Sequence, residues 1–404
     1  MAFGPFKKLA SVGSGLFQTT SSPIAVDFGV GALKVLQVVH GEAPALVAAA
    51  SLETPPELQR DPARRLAFQV EAFPRVVRQG GFKGRRAVCA IPASQTFCKH
   101  VQLHKAEGAL MADQVAAAVA SQIGCDPGAL VYRHVVVDGA TSSAGKAEVI
   151  CFATPRDLVL RLLGAIKDAR LDPVGMHSEF SATLRGFEYV SRRADDAGKV
   201  TLYLDIGAGT TKIMIAHGPA MVFARTVELG GVNLDDEIIK RTKCDLSEAP
   251  AIRRAMEEPV PRRPAGVPVA AASGPAGLAL LSAGMRSGGA EPAPAPAPSH
   301  ETCNDPDLSV PLEILTDEVQ VSLRYHQSVF PGKKVDRIVF VGGESKNKGI
   351  CQHVARVLRL PAQVADPLAR VARTGKEPCV GVDLTTPQPG WAVPLGLCLS
   401  PTDL

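Results

Sequence analysis

Two stretches far apart in the chain share one order of apolar and polar positions. Ile24-Ala25-Val26 and Val200-Thr201-Leu202-Tyr203-Leu204 are β-forming runs, and each delivers an aspartate, Asp27 or Asp205. A Gly-x-Gly turn follows, Gly29-Val30-Gly31 or Gly207-Ala208-Gly209, then a lysine, Lys34 or Lys212, inside a second apolar run. The order predicts a strand, a tight glycine turn and a returning strand at both places. Either stretch alone reads equally well as an ordinary hairpin with a solvated aspartate. Their repetition favours two similar halves facing each other across a cleft.

The remaining pattern fills in around these hairpins. Residues 41–50 read as a turn and a third strand, 55–65 as a loop, 67–78 as a helix and 86–92 as a short buried strand. Next come a strand at 97–103, an Ala-rich helix at 107–122, strands at 131–138 and 147–154, a helix at 156–170 and a strand at 173–176. This run reads as a compact α+β subdomain in its own right. A helix over 179–193 leads to the second hairpin, and Gly230-Gly231 precedes a helix over 235–242. Residues 258–306 are dominated by Pro, Ala, Gly and Arg and read as a disordered insertion prone to polyproline II. Its uncharged part, 266–285, carries too much Pro and Gly for a membrane span. A long amphipathic helix over 311–330 follows, then a strand at 336–341 entering Gly342-Gly343, and a helix at 350–358. The apolar tail 391–399 reads as a closing helix or strand.

This layout carries chemistry. Gly207 and Gly209 leave no Cβ between backbone and ligand, and their N–H groups with the Thr210 and Thr211 hydroxyls suit a phosphate. Asp205 at the strand end is placed to hold a hydrated Mg²⁺ beside it. Gly230-Gly231 opens a helix N-terminus that accepts phosphate or is simply a cap. A strand ending in Gly342-Gly343 lets a flat ring lie on backbone, or is a plain strand-to-helix turn.

Composition narrows the class. A chain of 404 residues fits two or more domains, and 46% apolar with 21% charged residues is ordinary for a globular protein. A net charge of +4 argues against a nucleic-acid partner. The nine cysteines are scattered, with no CxxC pair, and read as free, mostly buried thiols of a reducing cytoplasm. The first twenty residues lack the apolar core of a signal peptide, but mix Phe3, Phe6, Leu9, Leu16 and Phe17 with Lys7 and Lys8. Two lysines supply only ~2 kcal/mol at an anionic membrane. A flexible segment is the first reading, peripheral membrane contact the second.

Together these motifs resemble the actin, Hsp70 and sugar-kinase superfamily, in which paired hairpins grip the phosphates of ATP. Within it the chain is similar to the PilM family of type IV pilus assembly and, more distantly, to FtsA. The runs that carry the likeness are Asp205 to Thr211, Leu229-Gly230-Gly231-Val232-Asn233-Leu234, Asp336 to Gly343, and Leu358 to Pro367. The resemblance implies an α/β, actin-like ATPase fold with two similar lobes around a nucleotide cleft and an inserted α+β subdomain. It divides the chain into a flexible segment 1–21, a lobe 1 core at 22–86 and 177–199, an inserted subdomain at 87–176, and lobe 2 at 200–257 and 307–404. The insertion 258–306 stands apart, and the C-terminal segment packs back on lobe 1.

The implied ligands are ATP and Mg²⁺. Asp27 and Asp205 would hold the metal through water, and Gly29, Gly31, Lys34, Gly207, Gly209, Thr210, Thr211, Gly230 and Gly231 would cradle the phosphates. Gly342, Gly343, Ser345 and Lys346 would line the adenosine. Glu179 stands where relatives orient the attacking water, so any hydrolysis is slow and assigned to it. The implied partner is the N-terminal tail of a PilN-like inner-membrane protein, received near residues 89–103, with other pilus platform proteins beyond it. The implied place is the cytoplasmic face of the inner membrane, with a role in twitching motility. An FtsA-like filament former and a small-molecule kinase are the alternative readings.

Overall fold

The computed structural model describes residues 21–105, 108–142, 144–191, 196, 198–256 and 307–402. The flexible-segment reading at 1–21, all but Ser21, and the proline-rich reading at 258–306 lie outside the described residues.

Both repeated stretches are antiparallel hairpins. The first is β1 (Ile24–Phe28) and β2 (Ala32–Val39), with Asp27 directly opposite Lys34. β3 (Ala45–Glu53) extends the meander, and β4 (Arg86–Ile91) and β8 (Asp172–Ser178) add in parallel on the other side of β1. A short strand β14 (Cys379–Val380) closes the far edge, giving a six-stranded sheet ordered β14-β3-β2-β1-β4-β8. One face carries helices α1 (Pro62–Gln79) and α3 (Arg156–Asp168), whose Leu66, Phe73, Leu158 and Leu162 are buried against Val26, Leu33 and Cys89. The other face carries α9 (Ala392–Cys398), packed on Leu36, Val38 and Val88. Each such buried aliphatic side chain contributes roughly 1.5–3 kcal/mol. Helix α4 (Glu179–Gly186) crosses α9 at backbone contact, since a Cβ on Gly396 would fall 1.7 Å from the Ala182 carbonyl oxygen. Only glycine fits there.

The second hairpin, β9 (Val200–Ile206) and β10 (Thr211–His217), sets Asp205 opposite Lys212. It lies inside a five-stranded sheet ordered β11-β10-β9-β12-β13, with β11 (Ala220–Val227), β12 (Arg337–Val341) and β13 (Ala362–Val364). Helices α5 (Gly231–Thr242), α7 (Ser309–Val329) and α8 (Lys348–Leu358) contribute Leu234, Leu315, Val319 and Val354 to its core. The sequence reading assigns no element to β11 or to the short helix α6 (Ala249–Ala255).

Several expectations are corrected. The inserted subdomain is not 87–176. Its own sheet is β5 (Phe97–His104), β7 (Lys146–Pro155) and β6 (Leu130–Val137), covered by α2 (Gly108–Ile123). β4, α3 and β8 return to lobe 1, because β4 pairs in parallel with both β1 and β8 and α3 is the crossover between β7 and β8. The loop expected at 55–65 contains a helical turn, Pro56–Gln59, and the start of α1 at Pro62. There Asp61 accepts from the Ala63 and Arg64 N–H groups at 3.0 Å, an N-cap followed by proline at the first helical position. The helix expected over 179–193 ends at Gly186, and a separate turn spans Glu188–Ser191. Of the cysteines, Cys89, Cys151, Cys351 and Cys398 are buried, Cys98, Cys125 and Cys244 half-buried, and Cys379 exposed.

The inserted subdomain leans on lobe 2. The His100 ring stacks on Phe223 at 4.7 Å, and its Nε2 accepts from the Ala224 N–H at 3.2 Å. His100 Nδ1 lies 3.3 Å from buried Glu148, which also accepts from the Tyr325 hydroxyl. Burial works against the Glu148 carboxylate, but the His100 and Tyr325 contacts outweigh it and hold its pKa below the usual value.

Candidate functional site

The C-terminal ends of β1, β4, β8, β9 and β12 converge on a cleft of about 620 Å³ between the two lobes. The hairpin turns face each other across it, Gly209 against Val30 and Gly31 against Ala208. Their carbonyls are tied back into the protein. The Gly29 oxygen accepts from Gln69 Nε2 at 2.8 Å and the Gly31 oxygen from the Thr54 N–H at 2.9 Å. The Gly207 and Ala208 oxygens accept from the Gly231 and Val232 N–H groups at 3.0 and 2.7 Å. The N–H groups of Val30, Gly31, Ala208, Gly209 and Thr210 have no acceptor among the described residues, yet these residues line the cleft. Unpaired turn amides of this kind form an anion cradle.

The charges beside the cradle are unevenly paired. Lys212 is 6% exposed, with its Nζ 3.0 Å from Asp205 Oδ2 and bonded to Glu179 Oε2. Burial disfavours its charge, but the Asp205 and Glu179 carboxylates prevail and hold the ammonium well above its ordinary pKa. Thr183 Oγ1 also donates to Asp205 Oδ2, at 3.4 Å. The carboxylate of Asp27, a residue 5% exposed, makes no hydrogen bond among the described residues. Burial first, then the Glu179 carboxylate, push its carboxyl up to about 7 against the pull of Lys34 and Lys212. Lys34 Nζ instead donates to the Gly390 oxygen at 2.6 Å, and Lys346 Nζ donates to Gln388 Oε1 at 3.0 Å. Burial, then repulsion from Lys34, hold Lys346 below its usual pKa. Two lysines that repel each other in a cleft favour an anionic occupant.

On the lobe 2 side, Gly342 has φ +92°, and a Cβ there would fall 2.3 Å from the Ile206 oxygen. Its N–H donates to the Pro389 oxygen at 3.0 Å, bringing the C-terminal loop over the cleft. Arg253 Nε donates to Asp235 Oδ1 at 2.7 Å, and the same guanidinium pairs with Glu344. This clasp joins α5, α6 and the turn after β12.

Among the residues chosen from sequence, Asp27, Gly29, Gly31, Lys34 and Glu179 line the cleft from lobe 1. Asp205, Gly207, Gly209, Thr210, Gly342, Gly343 and Lys346 line it from lobe 2. Thr211, Gly230, Gly231 and Ser345 are placed behind the lining. The Thr211 hydroxyl donates to the Leu229 oxygen at 2.7 Å and the Ser345 hydroxyl to the Val341 oxygen at 2.5 Å. The Gly231 N–H is spent on the second hairpin, so this helix start braces the cradle from behind. Lys212, Arg253 and the Gln388–Gly390 loop escape the sequence choice. Lys212 stands at the same offset as Lys34 and was findable; Arg253 carries no local signal. In the segment 89–103, Cys89 is buried in lobe 1, while Cys98 and His100 face β11, leaving Lys99 and Gln102 to solvent.

The fold is shared with solved proteins. A structure described as the PilM-PilN type IV pilus biogenesis complex superposes with a TM-score of 0.70 at 21% identity, over 94% of this chain and 98% of that one. More remote are the ethanolamine utilization protein EutJ from Carboxydothermus hydrogenoformans (TM-score 0.48, 13% identity, 94% and 89% coverage) and ADP-bound MreB5 of Spiroplasma citri (0.45, 12%, 92% and 94%). With the PilM-PilN structure the chain shares the actin-like fold. No curated protein sequence matches the chain. The family model for type IV pilus assembly protein PilM matches residues 26–261, from the first hairpin through the second and past α6, and the chain belongs to that family.

Proposed function

We propose that this protein is an ATP-binding adaptor of the type IV pilus assembly platform, acting at the cytoplasmic face of the inner membrane. The observation that carries the reading is the cradle, whose carbonyls are tied back and whose five N–H groups lack acceptors beside the cleft. These turns would hold the β- and γ-phosphates, with Lys34 and Lys346 adding charge. Asp27, unpaired and at the cleft wall, would take a hydrated Mg²⁺, with Asp205 reaching it from the other lobe. When bound, the metal would neutralise phosphate charge and keep Asp27 ionised. Gly342 and Gly343 would lie against the adenosine.

Glu179 is held by Lys212 and has no second carboxylate of its own lobe beside it except the unpaired Asp27. A carboxylate tied up in an ion pair can orient water but is poorly placed to take its proton, so turnover would be slow. The useful output is differential closure of the two lobes, which changes affinity for a partner. Family membership and the fold shared with the PilM-PilN complex support a PilN-like N-terminal tail as that partner. The exposed rim of β5 at Lys99 and Gln102 is its candidate contact.

Calorimetry tests this. Mg·ATP should bind the wild type and fail to bind Asp27→Ala, and a PilN-tail peptide should titrate with different affinity with and without nucleotide. A folded wild type that ignores Mg·ATP would sink the switch, and equal peptide affinity in both conditions would reduce the cleft to scaffold.

A further inference from the structure

The loop that enters α9 lies across the cleft, and three consecutive residues of it each bond a group at the cleft wall. The Gly390 oxygen accepts from Lys34 Nζ of lobe 1 at 2.6 Å. The Pro389 oxygen accepts from the Gly342 N–H of lobe 2 at 3.0 Å, and Gln388 Oε1 accepts from Lys346 Nζ of that lobe, also at 3.0 Å. Gly390 is wedged between the lobes: a Cβ there would lie 3.2 Å from the Gly343 nitrogen and 3.3 Å from Lys34 Nζ. The segment therefore engages the two cleft lysines that have no carboxylate partner among the described residues, and covers the glycine pair beside them.

This is a seated strap. The buried Gln388 donates from Nε2 to the Asp383 oxygen and, at 3.2 Å, to Thr386 Oγ1. Beyond Gly390 the chain runs through Trp391, 3% exposed in the lobe 1 core, directly into α9. Yet its acceptors suit the lysines poorly. Both are uncharged amide oxygens, and an ammonium donates more strongly to an anionic oxygen. Lys34 also repels Lys346, while Asp383, Asp366 and Glu53 attract Lys346 only through space. The cradle of free turn amides lines the same cleft, so an anion held there competes with the strap for both lysines.

We propose that Gln388–Gly390 is an internal competitor of the nucleotide, holding Lys34 and Lys346 on Gly390 O and Gln388 Oε1 until the phosphates take them over. The inference rests on the nucleotide reading of the cleft and adds to it a built-in restraint on affinity. The restraint acts on the phosphates and is indifferent to the base.

Calorimetry with Mg·ATP on the full-length protein tests it at Gln388. Gln388→Ala removes the acceptor from Lys346 and should bind about three- to tenfold more tightly than wild type. Gln388→Glu sets a carboxylate against Lys346 and should bind at least about tenfold more weakly. A residue that only supported the fold would weaken binding in both variants. In a Lys346→Ala background the gain from Gln388→Ala should vanish, because the lysine it frees is gone. Inorganic tripolyphosphate should rank wild type and the two Gln388 variants in the same order. If Gln388→Ala loses its fold by Tm, Gln388→Met, which keeps the side-chain length without the acceptor, carries the same expectation. Wild-type binding that is unchanged or weakened in the folded variant would overturn the strap and leave the nucleotide reading standing. An equal gain with and without Lys346 would also overturn it, since the effect would not pass through that lysine. Binding of Mg·ATP by neither wild type nor variant would overturn the nucleotide reading, and the strap with it.

Discussion

The two hairpins have one sequence layout and one backbone register, but opposite electrostatics. Asp27 faces Lys34 across the first hairpin and Asp205 faces Lys212 across the second. In the second, the lysine is buried between Asp205 and Glu179, and Asp205 takes a further bond from Thr183. In the first, the lysine turns away to the Gly390 carbonyl and Asp27 is left without a partner. The reason is what each hairpin meets. Both hairpins are interior in their sheets, but α4 brings Glu179 to Lys212 from lobe 1, whereas the C-terminal loop passes within reach of Lys34. The same motif thus makes a saturated, structural half and an unsaturated, ligand-ready half.

The lysines give the largest contrast. Lys212→Met should destabilise the protein by about 3–5 kcal/mol in urea unfolding, because it leaves Asp205 and Glu179 buried without a counter-charge beside Asp27. Lys34→Met removes one hydrogen bond at a half-buried site and should cost about 1 kcal/mol, with its larger effect on nucleotide affinity. Equal losses would mean that the two hairpins are equivalent and the comparison is wrong.

The aspartates should differ in sign. Burial raises Asp27 from an ordinary value of 3.8 to about 7 in the folded protein. A raised folded pKa contributes stability that is complete below about pH 4 and is lost as pH rises through 7. Asp27→Asn removes that loss, so without nucleotide or Mg²⁺ the variant should be more stable than wild type at pH 8, by roughly 1–3 kcal/mol, with the gain shrinking toward pH 4. Asp205→Asn should destabilise by about 2–3 kcal/mol, the Glu179 contact softening the loss of a buried pair. Thermal unfolding of both variants at pH 8 decides it. Both should lose Mg-dependent nucleotide binding.

How each turn is braced separates the halves again. The second is held by backbone donors of α5, the first partly by the Gln69 side chain, which bonds both the Gly29 oxygen and Thr54 Oγ1. Gln69→Ala should therefore loosen only the first cradle, costing about 1–2 kcal/mol of stability and weakening nucleotide binding severalfold by calorimetry.

Local motifs were legible where the chemistry is local. The Asp-Gly-x-Gly hairpins and Gly342 could be read because turn geometry is imposed by a few consecutive residues. The extent of the inserted subdomain could not, since nothing in the β4 or β8 sequences states that they pair with each other and with β1. Lys212 was visible as a repeat of Lys34, but its burial depends on Glu179, which is 33 positions away and delivered by another lobe. Arg253 was illegible for the same reason: its partners Asp235 and Glu344 come from separate elements, and α6 looks like any short basic helix. Gly230-Gly231 reads in sequence as a phosphate site or a plain cap, because a helix start has free N–H groups. Here the second hairpin's own carbonyls take them.

The smallest expected effect lies where the two halves meet outside the cradle. Arg60, beyond β3, reaches across to Asp236 on α5, with Nε 3.1 Å from Oδ1. The side chains are 28% and 55% exposed, so the pair should add less than about 1 kcal/mol to stability and less still in high salt. Its geometry matters more than its strength, because one partner follows the first hairpin's sheet and the other begins one turn after the second hairpin's brace. If the halves move relative to each other on nucleotide exchange, breaking this contact should favour the open arrangement. Arg60→Ala and Asp236→Ala should then each speed nucleotide release about two- to fivefold in stopped-flow, at unchanged Tm, and the double variant should be no faster than either single one. Additive effects would assign the two residues to separate roles. No effect at low salt would mean that the lobes do not part there, and that the unsaturated hairpin exchanges its ligand without a hinge.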